Sequence, residues 1–330
     1  MKTSKILISI IMPTFNEQEH IKNCLNSILK QDMKESIELL IIDDNSTDST
    51  LEIINSFKKK LNITVIKNGT RDPERGKKIG LMNAKGDFFM YLDADMEYRD
   101  KDWFNQSMKP LIKNEKIVGT IASFGVKKDH NAITRCISYD VFQRDPIFIA
   151  FTPSIEKTII KKEKGYFVCK FEKDEMPAQS LCLYRTKIIK KLFKKSYHLM
   201  DNDVPVILVE NGHNLFAFCP NVRIYHLLLK DLKELAKKRL RGVLKTYTKN
   251  FSERKYRWFN LKKKINILKL GIWIIVANLL IPGFIYGIYK SIRYKDIACL
   301  YEFAINVVST DSLIYAFFVS RFGFKNLFKV

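Results

Sequence analysis

The stretch Phe88-Phe89-Met90-Tyr91-Leu92-Asp93-Ala94-Asp95 closes an apolar run with two carboxylates one residue apart. In a buried strand, side chains alternate between faces, so Asp93 and Asp95 leave from the same side. They emerge at the carboxyl end, where open α/β sheets hold their ligands. Carboxylates this close repel each other unless a cation sits between them. Hard divalent cations such as Mg²⁺ and Mn²⁺ take such oxygens and commonly hold substrate phosphates as well. The pair therefore suggests a metal–diphosphate site. A solvated Asp-x-Asp turn is the plainer alternative, and the surrounding elements decide between the two.

Those elements follow from periodicity. Ile6–Met12 is a nearly continuous apolar run, as in a buried parallel strand, and Pro13 is expected to end it. Asn16-Glu17-Gln18-Glu19 opens a helix carried by Ile21, Leu25, Ile28 and Leu29. A second strand, Glu38–Ile42, ends in the polar cluster Asp43–Asp48, which has the composition of a turn and a helix cap. Leu51, Ile54 and Phe57 continue a helix, Ile63–Ile66 is a third strand, and Lys77–Asn83 a further helix before the strand Asp87–Leu92. The alternation β-α-β-α-β-α-β predicts a mostly parallel sheet with helices on both faces. Residues 130–180 are less regular and are expected to form strands and loops walling the acceptor side. Met200–Glu210 predicts a helix stopped by Asn211-Gly212, with short strands at Leu215–Phe218 and Val222–Tyr225.

Four segments, Ile10-Ile-Met-Pro-Thr-Phe-Asn-Glu17, Ile41-Ile-Asp-Asp-Asn-Ser-Thr-Asp48, Ala84-Lys-Gly-Asp87 and Leu92-Asp-Ala-Asp95, resemble in order and spacing the inverting family-2 glycosyltransferases. The resemblance is strong over residues 7–97, traceable to His226, and fades over the C-terminal third. It implies a GT-A nucleotide-diphospho-sugar transferase fold, a UDP- or GDP-sugar donor and Mn²⁺ or Mg²⁺ as cofactor. Pro13, Thr14, Phe15 and Glu17 match the segment that contacts base and ribose, and Asp44 the acceptor of a hydrogen bond from the base. Asp93 matches the aspartate near ribose and metal, Asp95 the direct metal ligand, and His226 a residue completing the metal or diphosphate site. An inverting transferase needs a base for the acceptor's proton. The resemblance assigns it to Asp201, with Asp203 as substitute; Met200 stands where the family usually has Glu. For Asp43, Asn45 and Asp48 the preferred reading is turn and cap chemistry. Arg71, Arg75, Lys77 and Lys78 could touch the diphosphate, but the preferred reading is a solvated charged stretch.

Net charge is +22, in a chain of 330 residues that is 46% hydrophobic and 28% charged. Fourteen Lys or Arg against three acidic residues lie between Lys230 and Lys264, half of the total excess. Among them Leu232, Leu235, Ala236, Leu240, Val243 and Leu244 recur at helical spacing, as in a helix lying on a membrane surface. Tyr256, Trp258 and Phe259 suit headgroup depth. Leu270–Tyr289 follows, twenty residues without formal charge, long enough to span about 30 Å of hydrocarbon; Pro282-Gly283 is expected to kink it, and because Lys290, Arg293 and Lys295 follow at once, a hairpin that dips in and returns to the same side is the alternative to a full crossing. Phe303–Ser320 is a second apolar run, interrupted by Asp311. The division expected is a GT-A catalytic domain over 1–229, a basic interfacial segment over 230–264, and transmembrane or membrane-embedded helices over 265–330. Met1–Lys5 runs straight into a strand without a signal-peptide pattern, and the six cysteines show no metal-like spacing. The expectation is a cytoplasmic catalytic domain with reduced thiols, held at the cell membrane and acting on a lipid-linked or glycan acceptor. An inactive scaffold would have lost the carboxylates. A nucleic-acid binder would carry its charge on a folded face, not beside an apolar run, and no nucleic-acid motif is present.

Overall fold

The computed structural model describes residues 5–139, 151–173, 176–177, 182–227, 229–247, 254–256 and 264–319. Trp258, Phe259 and much of the basic block (248–253 and 257–263) lie outside them, as do 140–150 of the irregular middle region and the end of the last apolar run. In chain order the first elements are β1 (Ile8–Thr14), α1 (Ile21–Leu29), β2 (Ile37–Asp43), α2 (Thr50–Phe57), β3 (Asn62–Lys67), α3 (Pro73–Asn83), β4 (Phe88–Tyr91), β5 (Met96–Tyr98), α4 (Trp103–Lys113) and β6 (Ile117–Gly125). Then come α5 (Ala132–Ser138), β7 (Ile159–Glu163), β8 (Tyr166–Lys170), β9 (Cys182–Arg185), α6 (Thr186–Leu192), α7 (Asp203–Glu210) and β10 (Leu215–His226). The C-terminal part holds α8 (Leu232–Arg241), a π-helical turn Gly242–Tyr247, α9 (Lys264–Asn278), α10 (Leu280–Tyr294) and α11 (Glu302–Val319). By internal contacts the chain falls into two units, residues 1–125 with 155–226, and residues 126–154 with 227–330. The segment 126–154, expected in the catalytic domain, groups with the C-terminal unit.

The first unit is built on a ten-stranded sheet in the order β3-β2-β1-β4-β9-β6-β10-β8-β7, with β5 pairing β10. The pairs β1–β2, β2–β3 and β1–β4 are parallel, as the alternating pattern predicts. β9 runs antiparallel to both β4 and β6, and β5 and β8 antiparallel to β10, so the whole sheet is mixed. The chain steps outward from β1 to β3 and then returns past β1 to β4. With right-handed crossovers, that reversal puts α3 on the opposite face from α1 and α2. It also creates a switch point between β1 and β4, where such sheets bind ligands.

Pro13 does not end β1. The β1–β4 ladder stops near Ile11, whose carbonyl accepts from the Leu92 amide, while β1 and β2 stay paired through Thr14. Pro13 has the same ladder direction as Ile11, so its missing N–H faces a side with no strand left to pair. The two strands expected over 215–225 are one, β10, with a register shift between Cys219 and Arg223 around Pro220. The apolar run Leu270–Tyr289 is not one helix either. It breaks at Leu279, and α9 and α10 are bent by 78°. Pro282 would rob a continuous helix of a hydrogen bond and clash with the preceding turn; breaking upstream leaves it in the first turn of α10. All six cysteines are free and buried.

β4 is pinned to β1 and β2 by a buried network. Ser9 Oγ donates to Glu38 Oε1 (2.6 Å), the Lys85 amide donates to the same oxygen (2.5 Å), and the Gly86 amide donates to Ser9 Oγ (2.9 Å). Gly86 lies so close to β1 that a Cβ would stand 2.7 Å from the Ser9 nitrogen. Backbone cannot yield as a side chain can. Gly86→Ala should therefore destabilise the protein by about 2 kcal/mol, seen as a lower urea midpoint with an unchanged m-value.

Candidate active site

Asp93 and Asp95 follow directly on β4, which ends at Tyr91, in a turn closed by the Met96 amide donating to the Asp93 carbonyl (3.1 Å). The short β5 then pairs antiparallel with the end of β10, in the register His226↔Met96. That register brings His226 alongside Asp95, with Nε2 3.2 Å from Oδ1. The imidazole is buried and packs against the Phe124 ring at 5.8 Å. One ligand atom from each of Asp93, Asp95 and His226 lies within 4.8 Å of the others. Two carboxylates and an imidazole are a donor set for Mn²⁺ or Mg²⁺, so the residues fit a divalent cation.

The charge balance of the site comes from a residue read in the sequence as solvated. Lys77, on α3, is buried, with Nζ 2.6 Å from Asp201 Oδ1 and 3.4 Å from Glu74 Oε1. Burial alone would lower its pKa, but Asp201, Glu74 and Asp93 together hold it above the ordinary lysine value. The ammonium also lies 4.9 Å from the centroid of the Tyr91 ring. Asp93 is exposed, with Asp95, Asp201, Lys77 and His226 as its charged neighbours. Desolvation of the carboxylate, helped by Asp95 and Asp201, raises the Asp93 pKa against the opposing pull of Lys77 and His226. Lys77 therefore links Asp201 electrostatically to the Asp93–Asp95–His226 cluster. Lys78 is buried too and donates to the Phe193 carbonyl.

Asp201 precedes α7, and neither it nor Asn202 caps that helix through its side chain. Asp203 is buried in the first turn of α7; Asp201, not Asp203, is the carboxylate that reaches Lys77. Around β1 and β2 a second cluster forms. The Arg71 guanidinium stacks 3.6 Å over the Phe15 ring, and Asp44 Oδ1 accepts from the Thr70 and Arg71 amides (3.0 and 2.9 Å). Pro13 and Thr14 close β1 beneath Phe15, Thr14 buried with its hydroxyl on the Met12 carbonyl (3.1 Å). The Glu17 amide donates to Thr50 Oγ1 (2.7 Å), and the Glu17 carbonyl receives the Ile21 amide at the start of α1. Asp43 accepts from the Ser46 amide and hydroxyl, and Asp48 from the Gln18 and Thr50 amides, the turn and cap roles expected of them. In the sequence Arg71 and Lys77 were legible as charges that could reach a diphosphate, but not as partners of Phe15 and Asp201.

The sequence profile described as glycosyl transferase family 2 matches residues 9–193. Among curated proteins, the chain is 36% identical over 97 residues to a poly(ribitol-phosphate) beta-N-acetylglucosaminyltransferase, TarS, of Staphylococcus aureus, covering 28% of this chain and 17% of that protein. It is 38% identical over 124 residues to a dolichyl N-acetyl-alpha-D-glucosaminyl phosphate 3-beta-D-2,3-diacetamido-2,3-dideoxy-beta-D-glucuronosyltransferase of Methanococcus voltae, covering 36% of this chain and 38% of the other. The matches thus span well under two thirds of these relatives. Among solved structures, a mannosyltransferase from Pyrobaculum calidifontis in complex with GDP-Man and Mn²⁺ superposes with a TM-score of 0.56 at 16% identity, over 95% of this chain and 88% of that one. The likeness shows a shared GT-A-type fold.

Replacing Asp95 by Asn removes one anionic ligand while keeping the side chain's shape. We expect Asp95→Asn to weaken Mn²⁺ binding at least tenfold, as measured by the paramagnetic resonance of free Mn²⁺, with an unchanged far-ultraviolet dichroism spectrum.

Proposed function

The chain belongs to glycosyl transferase family 2, and on that premise we propose that it transfers a sugar, with inversion, from a nucleoside-diphosphate donor to a lipid-linked or other membrane-bound acceptor. The observation that carries this reading is the convergence of Asp93, Asp95 and His226 at the switch point of the sheet, with Lys77 tying Asp201 to the same cluster.

In this reading the Phe15 ring, Arg71 and the Asp44 carboxylate, together with Pro13, Thr14 and Glu17, form the nucleoside end of the donor site. A divalent cation held by Asp93, Asp95 and His226 would offset the negative charge of the donor's diphosphate. The acceptor hydroxyl approaches the anomeric carbon from the side opposite the diphosphate. Asp201 takes the hydroxyl proton as the new C–O bond forms, and the nucleoside diphosphate departs with the electron pair of the bond that breaks. Asp203, the first residue of α7, is the substitute base. Lys77 has two roles. Without donor it neutralises Asp201; with donor its ammonium is a cation that a diphosphate oxygen can recruit. Withdrawing that ammonium from Asp201 frees the carboxylate oxygen it occupies to meet the acceptor hydroxyl.

The relatives' names support an acceptor carried on a polymer or lipid: poly(ribitol-phosphate) for one, a dolichyl phosphate sugar for the other. The solved neighbour was captured with GDP-Man and Mn²⁺, while both UDP- and GDP-sugars remain chemically suited to the site here. The C-terminal helices and their basic flank supply membrane attachment in this reading, with the catalytic unit on the cytoplasmic side.

A panel of UDP- and GDP-sugars with Mn²⁺ or Mg²⁺, read by release of nucleoside diphosphate, tests the activity; no turnover or binding with any donor would refute it. With the donor so found, Asp201→Asn should cut transfer by about 10² to 10⁴ without weakening donor binding, since it leaves the Lys77 ammonium to the diphosphate. If Asp203→Asn shows that loss and Asp201→Asn does not, the base is Asp203. Lys77→Met should weaken donor binding by about 10-fold to 100-fold, as for removal of one charge-assisted hydrogen bond, in a direct titration with the nucleoside diphosphate.

A further inference from the structure

The second unit carries an apolar surface that the transfer reaction does not use. From Leu270 to Ala277 α9 is apolar around its circumference, yet only Trp273 and Ala277 are buried; Ile272, Ile275 and Val276 are exposed, as are Ile265, Ile267 and Leu268 in the preceding turns. A helix apolar on every side needs an apolar medium on every side. α10 is different. Gly283 and Gly287, four residues apart, form its inner face, and a Cβ on either would collide with the backbone of Phe303 or Cys299 at 2.8 and 2.7 Å. That close seat turns Ile281, Ile285, Ile288 and Ile292 outward as a stripe, with Ile281 72% and Ile292 75% exposed. The corner between the helices is equally bare: Leu279 and Leu280 are more than half exposed.

The charges mark where this surface meets water. Lys264 and Lys269 are exposed at the start of α9, Arg293 and Lys295 at the end of α10, and nothing charged lies between Leu270 and Tyr289. Basic residues stay on the cytoplasmic, anionic side of a membrane. A crossing helix pair would send one of these two pairs to the far side; a pair that enters and returns keeps both. The dimensions agree. Each apolar arm is ten residues, about 15 Å of helix, and with the 78° bend the corner reaches about 10 Å below the plane of the flanking cations, the depth of interfacial insertion. That is within one leaflet of a hydrocarbon core about 30 Å thick.

α11, with the turn before it, is long and apolar enough to cross a membrane (Ile297–Ala316). Its surroundings argue against that. The basic helix α8 packs along α11, and Leu232 and Leu235 join Ile305 and Val308 in one apolar cluster. Ser309, Thr310 and Ser312 in the middle of α11 are buried within the unit. A crossing α11 would carry Lys233, Lys237 and Arg241, all exposed, towards hydrocarbon.

We infer that α9 and α10 form a wedge that dips into one leaflet of an anionic bilayer and returns to the same face, so that the described helices attach the protein without crossing. The inference refines the membrane attachment proposed above and is independent of the donor site. The experiment uses the full chain in sealed membrane vesicles of both orientations, with Lys269→Cys, Lys295→Cys and Ile281→Cys each probed by a membrane-impermeant maleimide; the native thiols are buried, and the unsubstituted protein sets the background. Positions 269 and 295 should label from the same side and 281 from neither. Labelling of 269 and 295 from opposite faces would establish a crossing and overturn the wedge while leaving attachment intact. Labelling of 281 in intact vesicles would overturn it as well. In co-sedimentation with phosphatidylcholine vesicles containing phosphatidylglycerol, Leu280→Asp with Ile281→Asp should lower the bound fraction at least fivefold, with nucleoside-diphosphate binding unchanged. If the unsubstituted protein stays off these vesicles and is instead a dimer that the same double substitution dissociates, the surface belongs to a second copy and the membrane role is overturned.

Discussion

Three carboxylates, Asp93, Asp95 and Asp201, can share one region of this protein because a buried ammonium lies among them. Lys77 sits 2.6 Å from Asp201 and is held protonated by Asp201, Glu74 and Asp93. Removing a buried cation from such a cluster would leave like charges facing each other at reduced dielectric. The pair Lys77–Asp201 is also a long-range tie, joining a helix of the parallel half of the sheet to the loop before α7. The site is therefore a mutual arrangement: the lysine stabilises the acids and the acids fix the lysine.

The sheet supplies the other half of the arrangement. Its reversal between β1 and β4 leaves two strand ends side by side, one carrying Pro13, Thr14 and Phe15, the other Asp93 and Asp95. A three-residue strand, β5, then folds back and pairs with the end of β10. That small antiparallel addition delivers His226 to Asp95. The same economy appears at Asp44, whose carboxylate organises the loop at Thr70 and Arg71 and so holds the guanidinium flat on Phe15. Side chains here position one another first and are available to a ligand second.

The C-terminal unit obeys a different solvent logic. Its interior is tied by polar pairs, Arg135 to Asp296 (2.9 Å) and Lys290 to Glu302 (2.8 Å), the second almost wholly buried. Its exterior over α9 and α10 is aliphatic. A water-soluble fold has the reverse distribution. Polar pairs inside and hydrocarbon outside are consistent with a unit whose surroundings are partly lipid, and the glycines at 283 and 287 let α10 sit close enough to make the inner pairs geometrically possible.

The sequence by itself determined the alternation of strands and helices up to Asp95, because that half of the sheet is made of local units whose apolar period is read directly. It made Asp93 and Asp95 legible as a carboxylate pair at a strand end, because their spacing is a local property, although the structure places them in the turn after β4 and not on the strand; likeness to a family supplied candidate roles for Asp44, Asp201 and His226. Tertiary structure decided what those residues meet. Antiparallel β5 and β9 carry no local signature distinguishing them from loops, so the mixed sheet and the contact of His226 with Asp95 depended on long-range pairing. Lys77 looked like one more exposed cation in a basic chain; only the packing of α3 against the loop before α7 buried it among acids. Likewise Pro282-Gly283 announced a kink in Leu270–Tyr289, but its place at Leu279 and its 78° bend were decided by where the neighbouring helices let the chain turn so that the proline falls in the first turn of α10.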